Sequence, residues 1–200
     1  MTNYSFISID LQNDFTTEKG ECYRLRSSVN FLKNTLFPYF QDNNIRINEI
    51  ISDYRNPRLG MNSDCCIPGT WGYKSIVPDE LVDSEWIKCM NSPIWVRDNI
   101  GESGKEPGLP KQDPESFTKW LINNIGTPDE ETLVLFGLTI DCCVLSTAQE
   151  LKWRGYNVLI LKEGVDHFSG NEEDKDLVFN IVIKNWAKSI TWNDLISKIN

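Results

Sequence analysis

Apolar positions along this chain fall into two alternating rhythms. Tyr4–Ile9, Asn48–Ser52, Leu133–Phe136 and Asn157–Leu161 read as short strands, with Glu85–Lys88 and Ile94–Val96 as shorter extended stretches. Between them apolar residues recur at helical spacing. Phe31, Leu32, Leu36 and Phe40 mark a helix over Val29–Phe40, and Phe117, Leu121 and Ile125 mark one over Pro114–Ile125. Val144, Leu145, Ala148 and Leu151 mark a third, with Asp141 placed to cap its first turn. Leu177–Ile183 and Trp192–Ile199 are the last helical stretches, and Ile190 ends a final strand. The continuous apolar run Leu133–Phe136 suits a strand buried on both faces. Alternation of this kind predicts an α/β fold, a parallel sheet with helices on both faces. Two hundred residues suit one domain, 1–200.

Two segments break the rhythm. Residues 54–73 and 98–113 are rich in Gly, Pro, Asn and Asp, and long loops in a compact α/β domain often carry function. Trp71 and Tyr73 give the first loop aromatic walls of the kind a pocket uses; the alternative is a solvated excursion or an oligomer contact.

Charge and composition narrow the partners. A net charge of −9 offers no basic stripe for phosphates, so no nucleic-acid partner is expected. No apolar run is long enough to span a bilayer, so no membrane partner is expected either. No basic stretch followed by an apolar one opens the chain, and a cytoplasmic location is the expectation. The six cysteines include two adjacent pairs and no C-x-x-C, which suits free thiols better than a disulfide framework or a zinc site. No metal and no cofactor are expected.

The segment running from Leu133 to Tyr156 carries the strongest chemical signal. It reads as a buried strand, a sharp turn at Gly137, and a helix that begins at a cysteine. Cys143 then sits at the carboxyl edge of the sheet, where open α/β sheets place their ligands. A helix N-terminus also favours thiolate over thiol. The competing reading is a small buried hydrophobe. Asp10, just past the first strand, lies on the same edge if the strands are parallel, and a desolvated carboxylate there can take a thiol proton. Strand-ending or capping roles compete for Asp10, and are preferred for Asp14. Lys88 can supply a cation near both.

Three segments together resemble the isochorismatase-like hydrolase superfamily, which includes nicotinamidases and N-carbamoylsarcosine amidase. Ser8–Phe15 resembles its opening strand followed by D-x-Q-N-D-F. Gly137–Val144 resembles its nucleophile segment, with the motif cysteine on Cys143. Lys88–Ile94 resembles its K-x-x-N-S stretch, with Arg97 a rival cation to Lys88. The resemblance implies a Rossmann-like, three-layer αβα sandwich and a Cys143–Asp10–Lys88 triad that works through a thioester. It also implies a cis peptide between Leu138 and Thr139, with the Thr139 and Cys143 N–H groups forming an oxyanion hole. Phe15, Trp71, Tyr73 and Trp95 are expected at the substrate, and His167 is left outside the catalytic set. Dimers or tetramers are common in the family, so a homo-oligomer is expected.

Departures from the family shape the substrate. Nicotinamidases hold a metal through a D-x-H-x-x-x-H arrangement after strand two. Here Asp53 is present, but Arg55 and Leu59 stand at the histidine positions. Isochorismatases cleave a vinyl ether without a nucleophilic cysteine, which Cys143 argues against. The expectation is a metal-independent cysteine hydrolase of small amides or carbamoyl compounds, with Arg55 and Arg58 able to pair with a substrate carboxylate. Both arginines are equally open to surface or structural roles. The alternative function is a non-catalytic or thiol-redox relative, with Cys142–Cys143, Cys65–Cys66 and Cys89 gathered at one edge.

Overall fold

The computed structural model describes residues 3–58, 60 and 63–199. Six parallel strands form the central sheet: β1 (Asn3–Ile9), β2 (Ile47–Ser52), β3 (Val82–Lys88), β6 (Glu131–Leu138), β7 (Asn157–Asp166) and β8 (Lys188–Ile190). Their order is β3-β2-β1-β6-β7-β8. A separate two-stranded antiparallel ribbon joins β4 (Trp95–Val96) to β5 (Lys111–Gln112).

Side chains alternate across the sheet. Ile7, Ile9, Leu133 and Leu135 face one core with Phe117 and Leu121 of α4 (Pro114–Asn124), Val144 and Leu151 of α5 (Cys143–Trp153), and Phe179 of α6 (Glu172–Ile181). Phe6, Val134 and Phe136 face the other. There they meet Val29 of α2 (Ser27–Phe31), Phe40 of α3 (Phe37–Asp42) and Leu195 of α7 (Trp192–Ile199). The result is the three-layer αβα sandwich that the sequence predicts.

Element boundaries differ where local chemistry overrides periodicity. The helix expected over Val29–Phe40 is broken into α2 and α3 by a π turn at Leu32–Leu36. Pro38 lacks an N–H and its ring crowds the turn before it, so the hydrogen-bond register widens there. Helix α6 starts five residues earlier than expected. Asn171 caps it by accepting the Glu173 N–H at 2.8 Å, and the acidic first turn hides the apolar period. Strand β7 runs on to Asp166, with a register shift opposite Leu135 and Gly137.

Gly137 matters for the chemistry. A Cβ there would collide with the Ile9 carbonyl, so only glycine lets β6 approach β1 this closely just before the turn. Among the described residues, no helix is long and apolar enough to cross a membrane.

Candidate active site

Four strand ends converge at the carboxyl edge. Asp10 follows β1, Ser52 ends β2, Lys88 ends β3, and the turn after β6 leads to Cys143. Ser52 and Lys88 are register partners. Asp10 leaves its strand with a left-handed backbone, φ +52°, uncommon for a residue other than glycine and a conformation that clusters at functional sites. Its N–H still donates to the Ile50 carbonyl at 2.9 Å. Gln12 holds the same junction. Its Nε2 donates to the Ser52 and Tyr73 carbonyls, both at 2.9 Å, and its Oε1 accepts the Ser52 N–H at 2.8 Å.

Lys88 is fully buried and is the hub. Its Nζ donates to Asp10 Oδ2 at 2.8 Å, Ser52 Oγ at 2.8 Å and Tyr54 OH at 2.9 Å, and stands 3.4 Å from Cys143 Sγ. Ser52 Oγ donates to Asp10 Oδ1 at 2.8 Å. The Tyr54 hydroxyl lies 3.3 Å from Cys143 Sγ, and Asn91 Oδ1 lies 3.7 Å from it. Burial works against the Lys88 charge, but Asp10, Cys143 and Tyr54 together hold its pKa well above the ordinary lysine value. The ammonium therefore stays charged.

Cys143 opens α5 and is 6 % exposed. Burial pushes its thiol pKa up, and the Asp10 carboxylate pushes the same way, against the pull of Lys88. The expected bias toward thiolate at the helix end is thus overcome. A helix terminus contributes about 0.3–1 kcal/mol, less than full desolvation of a charge costs. At rest the Cys143 sulfur is held as a thiol beside the Asp10 carboxylate. Asp141 does not cap α5; Cys142 occupies that position. Asp141 instead accepts the Phe168 N–H at 3.0 Å and lies 3.3 Å from His167 Nε2, tying the nucleophile turn to the segment after β7. The Leu138–Thr139 peptide is cis, at the position the resemblance implied. The Cys143 N–H, at the first position of α5, has no acceptor within its own helix.

The other candidates divide. Phe15 reaches the site, its ring edge-on to Tyr54 at 6.1 Å. Arg97 does not; it donates to the Arg55 carbonyl at 2.9 Å, and the cation beside Asp10 and Cys143 is Lys88. Trp71 is 46 % exposed, and its carbonyl, not its ring, is held, by Asn13. Tyr73 fastens its carbonyl to Gln12, and Trp95 fastens its carbonyl to the Cys89 N–H. Asp14 has the structural role preferred for it. It accepts the Cys66 N–H at 2.6 Å and the Glu21 N–H at 3.3 Å.

Arg55 corrects one expectation. All five of its N–H groups are engaged: Nε and Nη2 on Asp53 at 2.8 and 2.6 Å, and the remainder on the carbonyls of Asn99, Glu102 and Lys105. None is left for a substrate carboxylate. The loop over 98–113 is instead pinned to the Asp53–Arg55 pair. The cysteines also divide. Cys65 and Cys66 pack with Cys22 beside Arg58, while Cys89 faces Arg97 and the Trp95 carbonyl.

Sequence reasoning gave no site role to Ser52, to Tyr54 or to Asn91, although Asn91 lies in the K-x-x-N-S stretch. Ser52 was within reach, since it ends a predicted strand on the same edge as Asp10.

Residues 103–194 match the isochorismatase domain family model. No protein of curated function matches the chain in sequence. Among solved structures, an isochorismatase-like hydrolase from Alkaliphilus metalliredigens is similar over 100 % of this chain and 99 % of its own, with a TM-score of 0.68 and 20 % identity. A Bacillus subtilis nicotinamidase is similar over 94 % and 99 %, with a TM-score of 0.64 and 21 % identity. A Pyrococcus horikoshii pyrazinamidase, whose structure holds zinc, is similar over 95 % and 99 %, with a TM-score of 0.67 and 18 % identity.

The residues present here do not fit such a metal. Both Asp53 oxygens are taken by Arg55, and Oδ2 also accepts the Gly101 N–H at 2.9 Å. Leu59 lies outside the described residues. Among the described residues, no group of three or more His, Cys, Asp or Glu side chains is arranged to hold a metal ion.

Proposed function

We propose that this chain, whose residues 103–194 match the isochorismatase domain family model and whose fold resembles solved isochorismatase-like hydrolases and nicotinamidases, is a hydrolase of that kind that cleaves the C–N bond of a small amide or carbamoyl compound through a thioester on Cys143, without a metal. The observation that carries this reading is the Lys88 hub. One buried ammonium holds Asp10, Ser52 and Tyr54 and touches the Cys143 sulfur.

In this reading the Cys143 Sγ–H gives its proton to Asp10 as sulfur attacks the substrate carbonyl. Proton transfer and attack are coupled in this reading, because burial and the Asp10 carboxylate both push the Cys143 thiol pKa up. The carbonyl oxygen takes up negative charge and is met by the N–H groups of Thr139 and Cys143; losing one such donor typically costs about 10²–10³ in rate. Asp10 returns the proton to the leaving nitrogen, and ammonia departs as the thioester forms. Water then attacks the thioester, giving its proton to Asp10, and the acid leaves as Cys143 regains its hydrogen. Lys88 stays protonated throughout. Its positive charge stabilises whichever neighbour is anionic, Asp10 at rest or sulfur during transfer.

Ammonia release from a panel of small amides and ureido compounds, measured in chelator, tests the proposal. The expected result is turnover that chelator leaves unchanged, that Cys143→Ala abolishes and that Cys142→Ala preserves. Turnover abolished by chelator would overturn metal independence. Turnover surviving in Cys143→Ala would overturn the thioester. A loss confined to Cys142→Ala would favour the thiol-redox alternative.

A further inference from the structure

We propose that Arg58 anchors a carboxylate on the substrate, so that this enzyme selects small amides or ureido compounds bearing an anionic group. The inference rests on the cysteine-hydrolase reading above and deepens it by naming a substrate class.

The cations around the site are not equivalent. Lys88 is paired with Asp10, and Arg55 with Asp53. Arg58 makes no ion pair among the described residues. Its guanidinium carbon lies 4.1 Å above the centre of the Tyr54 ring, and that same tyrosine's hydroxyl is 3.3 Å from Cys143 Sγ. A positive group thus sits one phenol ring away from the nucleophile, on the wall that Phe15 also meets. Its seat over the Tyr54 ring also restrains the guanidinium, which favours a two-point carboxylate contact.

Its hydrogen bonding is incomplete. Arg58 is 9 % exposed; Nη2 donates to the Ser63 carbonyl at 3.1 Å, and the buried Nε has no acceptor. A buried guanidinium with an unspent N–H carries a desolvation cost that an arriving anion offsets. Asp14, which like Arg58 acts on Cys22, is occupied by the Cys66 and Glu21 N–H groups. The other neighbours, Cys22 and Cys65, are thiols whose pKa values are raised, so they supply no negative charge. With a net charge of −9, the protein as a whole repels an anionic substrate, and a local cation at the site is what reverses that.

A pair of alkylating agents of similar size tests this without knowledge of the substrate. Iodoacetate and iodoacetamide both form a thioether at Cys143 Sγ, breaking the C–I bond, releasing iodide and passing the thiol proton to buffer. Only iodoacetate carries a carboxylate. The rate of Cys143 labelling by each is followed by peptide mass spectrometry in the wild type, Arg58→Met and Arg58→Lys. The expected result is a ratio of iodoacetate to iodoacetamide rates that falls about tenfold or more in Arg58→Met, as loss of a charge-assisted contact implies. The iodoacetamide rate should hold, and Arg58→Lys should restore part of the ratio. An unchanged ratio, or both rates moving together, would overturn the proposal and reduce Arg58 to a prop for Tyr54. If neither reagent labels wild-type Cys143, the nucleophile reading itself fails and this proposal falls with it.

Discussion

Replacing Glu49 with glutamine tests how burial sets the protonation of this protein. Glu49 lies in mid-strand on β2, 3 % exposed, with the Ser75 and Ser8 hydroxyls donating to its Oε1 at 2.7 and 3.2 Å. Burial raises its pKa from 4.5 to about 7; the two serines oppose this, while Glu85 and Asp79 add to it. The folded state therefore prefers the neutral acid, whereas the unfolded chain ionises near the ordinary carboxylate value. The stability this preference contributes is complete below the unfolded pKa and is lost as pH rises through about 7. The shift corresponds to about 3 kcal/mol in full, and to about 2.5 kcal/mol between about pH 5 and about pH 8. Glutamine keeps an oxygen acceptor for both serines and never ionises. Urea unfolding of wild type and Glu49→Gln at those two pH values gives the difference directly. Other titrating groups cancel in the comparison. Wild type should lose about 2.5 kcal/mol more than the variant on going to the higher pH. Parallel pH profiles, agreeing to within about 0.5 kcal/mol, would refute the argument and mean that Glu49 is ionised in the folded protein at neutral pH.

The Lys88 hub and its flank yield two further predictions. Lys88→Met should abolish turnover and cost about 3–5 kcal/mol in urea unfolding, because Asp10 is left charged and buried. Adding Asp10→Asn should recover much of that stability but no activity, and a double variant as unstable as the single one would contradict the ion-pair account. Arg55→Ala strands Asp53 and frees the carbonyls of Asn99, Glu102 and Lys105. Limited proteolysis should then cut within 98–113 faster than in wild type, and added zinc should not protect the loop; cleavage at the wild-type rate would contradict the pinning role.

The meeting of Asp10, Lys88 and Cys143 at the carboxyl edge was legible because it is written in short-range pattern. A strand that ends in Asp10, and a strand followed by a turn and a helix opening at Cys143, each declare their position within a dozen residues. Lys88 was legible as the end of an edge strand, and only the assembled edge separates it from Arg97. Tyr54 was hidden because it sits in a loop, where polar residues carry no period, and Asn91 stood inside the K-x-x-N-S stretch without a role assigned to it. The fate of Arg55 was unreadable for another reason. Asp53 stands two residues away, but the N–H groups it leaves over go to backbone carbonyls more than forty residues away, and carbonyls leave no mark in a sequence. Arg58, flagged with it as a carboxylate ligand, differs only in what folds around it. The split helix before β2 was signalled by Pro38, which the apolar period overrode.

Gln12 has a consequence for how this edge is built. The main-chain ladder between β1 and β2 runs out with the Asp10 N–H on Ile50. Two residues later the Gln12 side chain exchanges a donor and an acceptor with Ser52, as a peptide group of a neighbouring strand would. An amide side chain thus serves as a prosthetic rung, letting the chain at Asp10 step out of the strand while the sheet stays zipped beneath it. Only asparagine and glutamine offer both halves of that rung, and only glutamine has the length found here. Glutamate, isosteric but when ionised unable to donate, would break that rung two residues from Asp10.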